Sequence, residues 1–317
     1  MTTTLSPSRL AAKDFLSILD LAPAEFDRLL ALASELKQLR AKGAAGPQPL
    51  AGRHVAILFE KPSLRTRITF VIAVRELGGE VIEPPPDVIF GGRETVEDVA
   101  HNLERWVSGA VVRTYAQDRL TRFAAAATRM HVVNALTDEE HPCQALADVM
   151  TLGERFGAVK GLALTYVGDG NNVAASLAHA GALAGLRMTF ASPTGYELPA
   201  AVVADCARVA RHGATVTLTN DPVAAVSGAD AVYTDVWASM GQEDEADARA
   251  RIFQPFQVNR ELMSAAAPRA VFMHCLPAHR GIEVTDQVMD APSAAVFDQA
   301  ENRLHAQKAL LALLMGK

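Results

Sequence analysis

The sequence HVAILFEKPSLRTRITFVIAVREL, residues 54–77, contains one strand, one turn and one helix in succession. The apolar run 54–60 predicts a buried strand, Pro62 ends it, and Ser63 can cap a helix over 65–77. Short apolar runs alternate with longer helical stretches along the rest of the chain. This alternation is typical of parallel sheets whose strands are joined by crossover helices, so the predicted fold class is α/β.

Beyond this strand–turn–helix unit, the alternation of apolar runs and helical stretches predicts two sheets. Further strands are expected at 80–83, 110–115 and 131–135 in the first half, and at 162–168, 187–192, 215–219, 231–236 and 270–276 in the second. Helices are expected at 94–106, 117–127, 141–157, 172–185, 199–211 and 221–227. The stretch ENRLHAQKALLALLMG, 301–316, predicts a last amphipathic helix that is long enough to pack back on the first domain.

The length of 317 residues favours two domains, at roughly 150 residues each. We place the boundary inside the helix predicted over 141–157. The first domain is then 1–142, completed by a C-terminal helix over 300–317, and the second is 143–299. Each is expected to be a mainly parallel sheet flanked by helices. Because small-molecule sites commonly lie between α/β domains, the active site is expected in the interdomain cleft.

The composition excludes several classes of protein. The chain has 30 basic and 36 acidic residues, a net charge of −6, which argues against an extended nucleic-acid surface but not against one small anion site. Three cysteines make no disulfide framework, so a reducing, cytoplasmic location is expected. The sequence contains neither a signal-peptide pattern nor an apolar run of about 20 residues, so we expect no membrane association.

The clearest candidate site in the first half is FEKPSLRTR, residues 59–67. Backbone N–H groups at a helix N-terminus, hydroxyls and arginines together suit an anion. An ordinary capped helix with surface arginines would show the same spacing. Arg113 ends a predicted buried strand, where it is either a ligand or half of a structural ion pair.

The segment HPCQ, 141–144, begins a predicted helix. His141 and Gln144 are three residues apart, can share one face, and could donate hydrogen bonds to a carbonyl oxygen. A capping role for the histidine is equally compatible with the pattern. The spacing is not that of a zinc site. Arg303 opens the predicted last helix.

In the second half, YVGDGNN, 166–172, lacks the third glycine and the later acidic residue of a dinucleotide-binding loop. Its asparagines could bind a ligand or cap the next helix. Asp235 ends a predicted strand in DVWASMGQE, 235–243, where it suits an amine or a turn. Cys275 in MHCLPAHR, 273–280, is expected to be a small buried hydrophobe, since no base partner for a covalent nucleophile is evident.

Taken together, these segments resemble the aspartate/ornithine carbamoyltransferase family, and its ornithine branch in particular. FEKPSxRTR, HPCQALAD, VGDGNN, DVWASMGQE, HCLPAHRG and FDQAENRLHAQKALL occur in the family's order, from about residue 12 to the end. The resemblance implies carbamoyl transfer from carbamoyl phosphate to the δ-amine of L-ornithine through a tetrahedral intermediate, giving L-citrulline and phosphate. It also implies a homotrimer or a multiple of trimers, with neither an organic cofactor nor a catalytic metal. It leaves open whether the reaction serves synthesis or breakdown.

The resemblance also assigns residues by motif. Catalysis is expected to involve Arg65, Arg113, His141, Asp235 and Cys275. The carbamoyl-phosphate site is expected to comprise Ser63, Leu64, Arg65, Thr66, Arg67, Arg113, His141, Gln144, Cys275, Leu276 and Arg303. The ornithine site is expected to comprise Asn172, Asp235, Ser239 and Met240.

Two positions depart from the family pattern. Leu64 replaces a threonine, which keeps a backbone N–H but loses a hydroxyl. Ile89 is the nearest match to a polar residue, commonly glutamine, that reaches a neighbouring subunit's site.

Three alternative functions stand beside the main prediction: a sibling carbamoyltransferase acting on putrescine or N-acetylornithine, a non-catalytic metabolite-binding paralogue, and an NAD-dependent dehydrogenase suggested by VGDGNN alone. The SMG motif disfavours the siblings.

Overall fold

The computed structural model describes residues 9–85, 90, 92–238 and 243–316. The described chain forms two compact units. One comprises the residues up to Met150 and from Asn302 onward, and the other comprises Thr151–Glu301. Within the described residues, we find no helix with the length and apolar character needed to cross a membrane.

The first unit contains a four-stranded parallel sheet. Its strands are β1 (His54–Phe59), β2 (Glu80–Ile82), β3 (Gly109–Arg113) and β4 (His131–Leu136), in the order β2-β1-β3-β4. The helices are α1 (Pro23–Ala41), α2 (Leu64–Glu76), α3 (Val96–Leu103) and α4 (Gln117–Ala126). The order reverses at β1 and β3, and in open parallel sheets ligands bind where the carboxyl ends of such strands meet.

The second unit contains a five-stranded parallel sheet. Its strands are β5 (Ala163–Val167), β6 (Arg187–Ala191), β7 (Thr215–Thr219), β8 (Ala231–Thr234) and β9 (Val271–His274), in the order β7-β6-β5-β8-β9. Here the order reverses at β5 and β8. The helices are α5 (Pro142–Phe156), α6 (Asn172–Ala184), α7 (Ala200–Val209), α8 (Pro222–Val226), α9 (Ala246–Phe253), α10 (Arg260–Ser264) and α11 (Asp286–Met289). The division between the units falls within α5.

Both sheets are buried by helices, which confirms the predicted fold class. In the first unit Leu58 and Val112 pack with Phe123 of α4. In the second unit the two faces of the sheet belong to two apolar clusters, because alternate residues of a strand point to opposite faces. Tyr233 of β8 belongs to one cluster and its neighbour Val232 to the other.

The last helix, α12 (Val296–Met315), begins five residues before its predicted start at 301. The stretch singled out from the sequence began at Glu301, so that VFDQA, 296–300, was left out of the predicted helix. Asp298 lies in the first turn, where a carboxylate is favoured by the helix dipole, and it pairs with Arg155. Arg303 therefore lies well inside this helix rather than at its start.

Candidate active site

In the first unit, the predicted site residues begin at the N-terminus of α2. Ser63 has an extended backbone, and its hydroxyl accepts a hydrogen bond from the Thr66 N–H at 3.2 Å. Leu64 is the first helical residue. The first N–H groups of an α-helix have no intrahelical acceptor, so this turn offers donors to an anion. The Leu64 side chain is 70% exposed, so having leucine here instead of the family's threonine leaves the packing of the helix unaffected.

Arg303 connects three elements of the first unit. Its guanidinium is buried and donates to Gln144 Oε1 at 2.6 Å and to Thr66 Oγ1 at 2.9 Å. Gln144 in turn donates from Nε2 to Asp148 Oδ1 at 2.8 Å, which fixes the orientation of its amide. These two hydrogen bonds to neutral acceptors fix the position and orientation of the guanidinium.

His141 lies just before α5 and is buried among positive charges. Burial lowers its pKa well below the ordinary value of 6.5, and the charges of Arg303, Arg113 and Arg65 lower the pKa further. All three guanidinium groups therefore lie close to one imidazole. At neutral pH the imidazole is uncharged and offers one donor and one acceptor. We call His141, Arg65, Arg113 and Arg303 the arginine cluster.

Arg67, also predicted to bind carbamoyl phosphate, contacts other groups in this structure. It donates to Glu83 Oε2 at 2.7 Å, and its guanidinium lies 5.6 Å from the centre of the Phe59 ring. Arg67 thus shares the first turn of α2 with Arg65, but Arg67 is partly neutralised by a carboxylate.

Lys61 was not singled out from the sequence, although it directly follows the FE of the first motif. It is buried, forms an ion pair with Asp138, and its ammonium lies 4.3 Å from the centre of the Tyr115 ring. Its position in the loop after β1, at the carboxyl edge of the sheet, is the signal that could have identified it. Lys61 adds a further cation to the loop that leads into α2.

The second unit has its own group of predicted site residues, at the carboxyl ends of β5, β8 and β9. Asp235 follows β8 and is buried. Its Oδ2 accepts from Asn171 Nδ2 at 2.9 Å, and its Oδ1 accepts from the Cys275 thiol at 2.9 Å. We call Asn171, Asp235 and Cys275 the carboxylate cluster. It brings together three motifs that are far apart in the sequence.

The two asparagines of VGDGNN have different positions. Asn171 caps α6, since its Oδ1 accepts from the N–H groups of Val173 and Ala174 at 3.0 and 3.1 Å. Asn172, predicted to contact ornithine, is the first residue of that helix and is half-buried. The sequence alone is compatible with either a capping or a ligand-binding role for these asparagines. In the structure, Asn171 caps the helix and also contacts Asp235.

Cys275 and Leu276 follow β9. The Cys275 thiol donates to a carboxylate oxygen, so its partner in this structure is Asp235. The adjacent His274 has different partners: Glu283 Oε1 lies 3.2 Å from its Nε2, and the Leu276 N–H donates to its Nδ1 at 2.8 Å. Leu276 has a positive φ of 59°, and the Leu276–Pro277 peptide is cis.

Donor atoms of Asp235, His274 and Cys275 lie within 4.8 Å of one another, a spacing that suits a metal ion. Both nitrogens of His274, however, already take part in the hydrogen bonds to Leu276 and Glu283. A metal ligated by His274 would have to break one of these bonds. The geometry therefore favours a hydrogen-bond network over a metal centre at these residues.

A buried ion pair flanks the carboxylate cluster. Arg249 of α9 pairs with Asp169, donates to the Trp237 carbonyl, and its guanidinium lies 4.8 Å from the centre of the Tyr196 ring. Burial raises the pKa of Asp169 to about 6, and the charge of Arg249 offsets this only in part. Sequence reasoning did not pair these residues, because 80 positions separate them.

Three predicted positions lie outside the described residues. They are Ser239 and Met240 of the SMG segment, and Ile89.

The fold and the two clusters define a class: two-domain α/β enzymes with a guanidinium-rich cluster in one domain and a carboxylate cluster in the other. Within this class, the chain belongs to the aspartate/ornithine carbamoyltransferase family. A sequence model of the family's carbamoyl-P binding domain matches residues 13–154, and one of its Asp/Orn binding domain matches residues 160–314.

Individual relatives agree with this membership. The chain is 51% identical to a protein named ornithine carbamoyltransferase from Parafrankia sp. (strain EAN1pec), covering 97% of this chain and 98% of the relative. It is 49% identical to one of the same name from Nostoc sp. (strain PCC 7120), with the same coverage. The solved ornithine carbamoyltransferase from Pyrococcus furiosus is 46% identical, with a TM-score of 0.92 over 98% of this chain and 99% of that one.

Proposed function

We propose that this protein transfers the carbamoyl group of carbamoyl phosphate to the δ-amine of L-ornithine. The amine nitrogen attacks the carbonyl carbon and a tetrahedral intermediate forms. The bond from that carbon to the phosphate oxygen then breaks and the nitrogen loses a proton, leaving L-citrulline and phosphate. Atoms and charge balance without a cofactor or a redox partner.

The arginine cluster supplies the carbamoyl-phosphate half of the proposed site. Ser63, the first turn of α2 and the guanidinium groups bind the phosphate, while neutral His141 can donate to the carbonyl oxygen as it gains charge. One such donor typically contributes about 3 kcal/mol to transition-state stabilisation. Gln144 and Thr66 hold Arg303 in place for this task.

The carboxylate cluster supplies the ornithine half. The amine must attack in its neutral form, although a free alkyl amine has a pKa of about 10.4. Asp235 can orient the amine, and a cationic group close to the bound amine would disfavour its ammonium form. We assign Cys275 a hydrogen-bonding role, and Leu276 a role through its main chain. Asn172, Ser239 and Met240 complete the proposed ornithine contacts by their match to the family motifs.

The observation that carries this proposal is that the buried Arg303 donates both to Thr66 in the first turn of α2 and to Gln144 in the turn of α5 that follows His141. The chemistry of that constellation fits a small phosphate-bearing anion with a polarisable carbonyl. Arg67 is proposed to add to it once an anion competes with Glu83 for its guanidinium.

The test is a citrulline assay on the purified chain with ornithine, putrescine and N-acetylornithine as acceptors. Product from ornithine alone supports the proposal. Product from another acceptor alone would assign a sibling activity, and carbamoyl-phosphate binding without turnover on any amine would assign a non-catalytic role.

We further propose a cytoplasmic enzyme, homotrimeric as the family implies, whose reaction serves arginine biosynthesis. Cys143, Cys206 and Cys275 form no disulfide, which is compatible with a reducing compartment. The assembly is testable by light scattering. Ile89 would occupy the position that reaches a neighbouring subunit's site, so the trimer and its activity should be measured together.

A further inference from the structure

We infer that His274 and Glu283 are positioning residues that hold the Leu276 main chain in its left-handed conformation, and so fix Cys275 and Leu276 beside Asp235. This inference rests on the proposed function, in which Cys275 and Leu276 act on the substrates. Neither His274 nor Glu283 matches a predicted binding position, and both side chains are fully buried.

The protonation of His274 follows from its hydrogen bonds. A backbone N–H can only donate, so the bond of 2.8 Å from Leu276 requires an unprotonated Nδ1. The remaining nitrogen, Nε2, then carries the proton and donates it to Glu283 Oε1 at 3.2 Å. The ring is therefore neutral in one fixed tautomer, and Glu283 selects that tautomer.

Leu276 needs such support because of its backbone. Its φ of 59° lies in the left-handed region, which side chains other than glycine rarely occupy. Strained conformations of this kind persist when the surrounding structure determines them, and they cluster at functional sites. Here the His274 ring accepts the Leu276 N–H, and the Leu276 side chain packs against the apolar cluster that contains Val284.

Glu283 ties both ends of this segment together. Besides the His274 ring before the turn, its Oε1 accepts from the backbone N–H of His279 after the turn, at 2.5 Å. On the other side, the His274 N–H donates to Gln299 Oε1 of α12 at 2.9 Å. The four residues between His274 and His279 are thus held at both ends by one buried carboxylate.

The first test compares variants of Glu283. Glu283→Gln keeps an acceptor for both His274 and His279, whereas Glu283→Ala removes it. We expect Glu283→Ala to lower kcat on the order of 100-fold, as a misplacement near the reacting atoms can do, while Glu283→Gln stays within about 10-fold of the wild type. His279→Asn changes an exposed side chain of the same segment and should match the wild type.

The second test uses variants of His274. Asn at this position can accept the N–H two residues on, as asparagine does in Asx turns, whereas Gln can reach toward Glu283 but lacks an acceptor beside its own backbone. His274→Asn should therefore retain more activity than His274→Gln. If His274→Gln retained more activity than His274→Asn, the hydrogen bond from the Leu276 N–H to His274 would not be the contact that supports activity. That result would overturn the inference.

Thiol reactivity separates local release from global unfolding. Cys143 and Cys206 are buried, and burial raises the pKa of Cys143 to about 12, so Cys275 is the thiol that iodoacetamide should reach first. Glu283→Ala should accelerate the labelling of Cys275 alone, as shown by peptide mapping. Labelling of all three thiols would instead indicate unfolding and overturn the positioning role.

The tautomer itself is testable on the wild type. Long-range ¹H–¹⁵N spectra of histidine-labelled protein, assigned with His274→Asn, should show an unprotonated Nδ1 and a protonated Nε2 for His274. A protonated Nδ1, or a Glu283→Ala variant with wild-type kcat and thiol labelling, would overturn the inference. If the wild type makes no citrulline, the proposed function fails, while the labelling and tautomer measurements still decide this inference.

Discussion

Arg65 is half-buried in the first turn of α2, and its charge reaches His141. In the proposed site this guanidinium stabilises the bound anion, whereas truncating a half-buried polar side chain leaves no cavity in the apolar core. Its removal should therefore separate activity from stability. The same helix provides a matched control in Arg75, which is exposed in the last turn.

We predict that Arg65→Ala lowers kcat/KM for carbamoyl phosphate by about 100- to 1,000-fold, the typical effect of losing one preorganised donor. Thermal unfolding followed by circular dichroism should change little, and Arg75→Ala should leave both quantities near the wild type. A near-native kcat/KM for Arg65→Ala would contradict the assignment of the anion site.

Cys275 donates to Asp235 Oδ1, and a serine hydroxyl can make the same bond. We predict that Cys275→Ser keeps kcat within about 10-fold of the wild type, because a covalent nucleophile would lose about 10⁴-fold or more. Cys275→Ala, which lacks the donor, should lose more activity than Cys275→Ser. Equal and near-complete losses in both variants, measured in the citrulline assay, would point to covalent catalysis.

Asp169 gives a prediction of pH dependence. Its pKa of about 6 lies above the ordinary value of 3.8, so the folded state binds this proton more tightly than the unfolded state does. The resulting stabilisation is fully present below about pH 4 and is lost as the pH rises through 6, an effect of about 3 kcal/mol. The measurement is urea unfolding between pH 4 and 7.

Relative to Asp169→Asn, the wild type should therefore lose about 3 kcal/mol of unfolding free energy across this range. The exposed Asp247 provides the control, since Asp247→Asn should run parallel to the wild type at every pH. If the unfolding free energies of Asp169→Asn and the wild type varied with pH in parallel, the ion pair with Arg249 would be keeping the Asp169 carboxylate charged between pH 4 and 7.

The loop between β5 and α6 fixes the position from which Asn171 donates its hydrogen bond to Asp235. A Cβ on Gly170 would lie 2.5 Å from the Glu197 carbonyl carbon and oxygen and from the Leu198 nitrogen. These are backbone atoms, so the loop itself must shift to accommodate a side chain. Gly46 provides the contrast, because a Cβ there meets nothing within 4 Å.

We predict that Gly170→Ala destabilises the fold by about 1–3 kcal/mol, as overpacking typically does, and lowers activity with ornithine by moving Asn171. Gly46→Ala should be neutral or slightly stabilising, because it reduces the entropy of the unfolded chain. Chemical denaturation and the citrulline assay measure the two effects. Unchanged activity in Gly170→Ala would show that Asn171 does not set the geometry of Asp235.

The helices and strands of this chain could be predicted where the sequence pattern that indicates them lies within the element itself. The runs that form β1 and β7 are apolar or β-branched, and both strands lie within one residue of their predicted bounds. The start of α12 was misplaced, because VFDQA, 296–300, was not included in the predicted helix. The helix α1 was also missed, although Phe26, Leu29 and Ala33 recur at helical spacing and are buried.

Site residues were predictable where a motif contains the whole contact, as with Ser63 and Thr66 at the start of α2. Contacts between distant segments were not. The bond from Arg303 to Thr66 spans 237 positions, and the preference of Arg67 for Glu83 depends on where β2 ends. Such pairings depend on tertiary geometry, which single-segment patterns do not encode.

For the whole molecule, two exposed apolar side chains of α2 are candidates for the contact surface of the proposed assembly. Leu64 and Ile68 are four residues apart and share one face of α2, where Leu64 is 70% and Ile68 47% exposed. Single exposed apolar residues are ordinary, but a contiguous pair beside a predicted site suggests a contact surface. Each such side chain is worth roughly 1.5–3 kcal/mol when fully buried.

We predict that Ile68→Asp shifts the protein from trimer toward monomer in light scattering, because a charge buried in an interface loses its hydration. Val223, in the second unit, is 60% exposed and provides the matched control: Val223→Asp should remain trimeric. If the active site needs a neighbouring subunit, kcat of Ile68→Asp should rise with protein concentration. A trimeric Ile68→Asp variant with wild-type kcat would place the subunit contact elsewhere than on this face of α2.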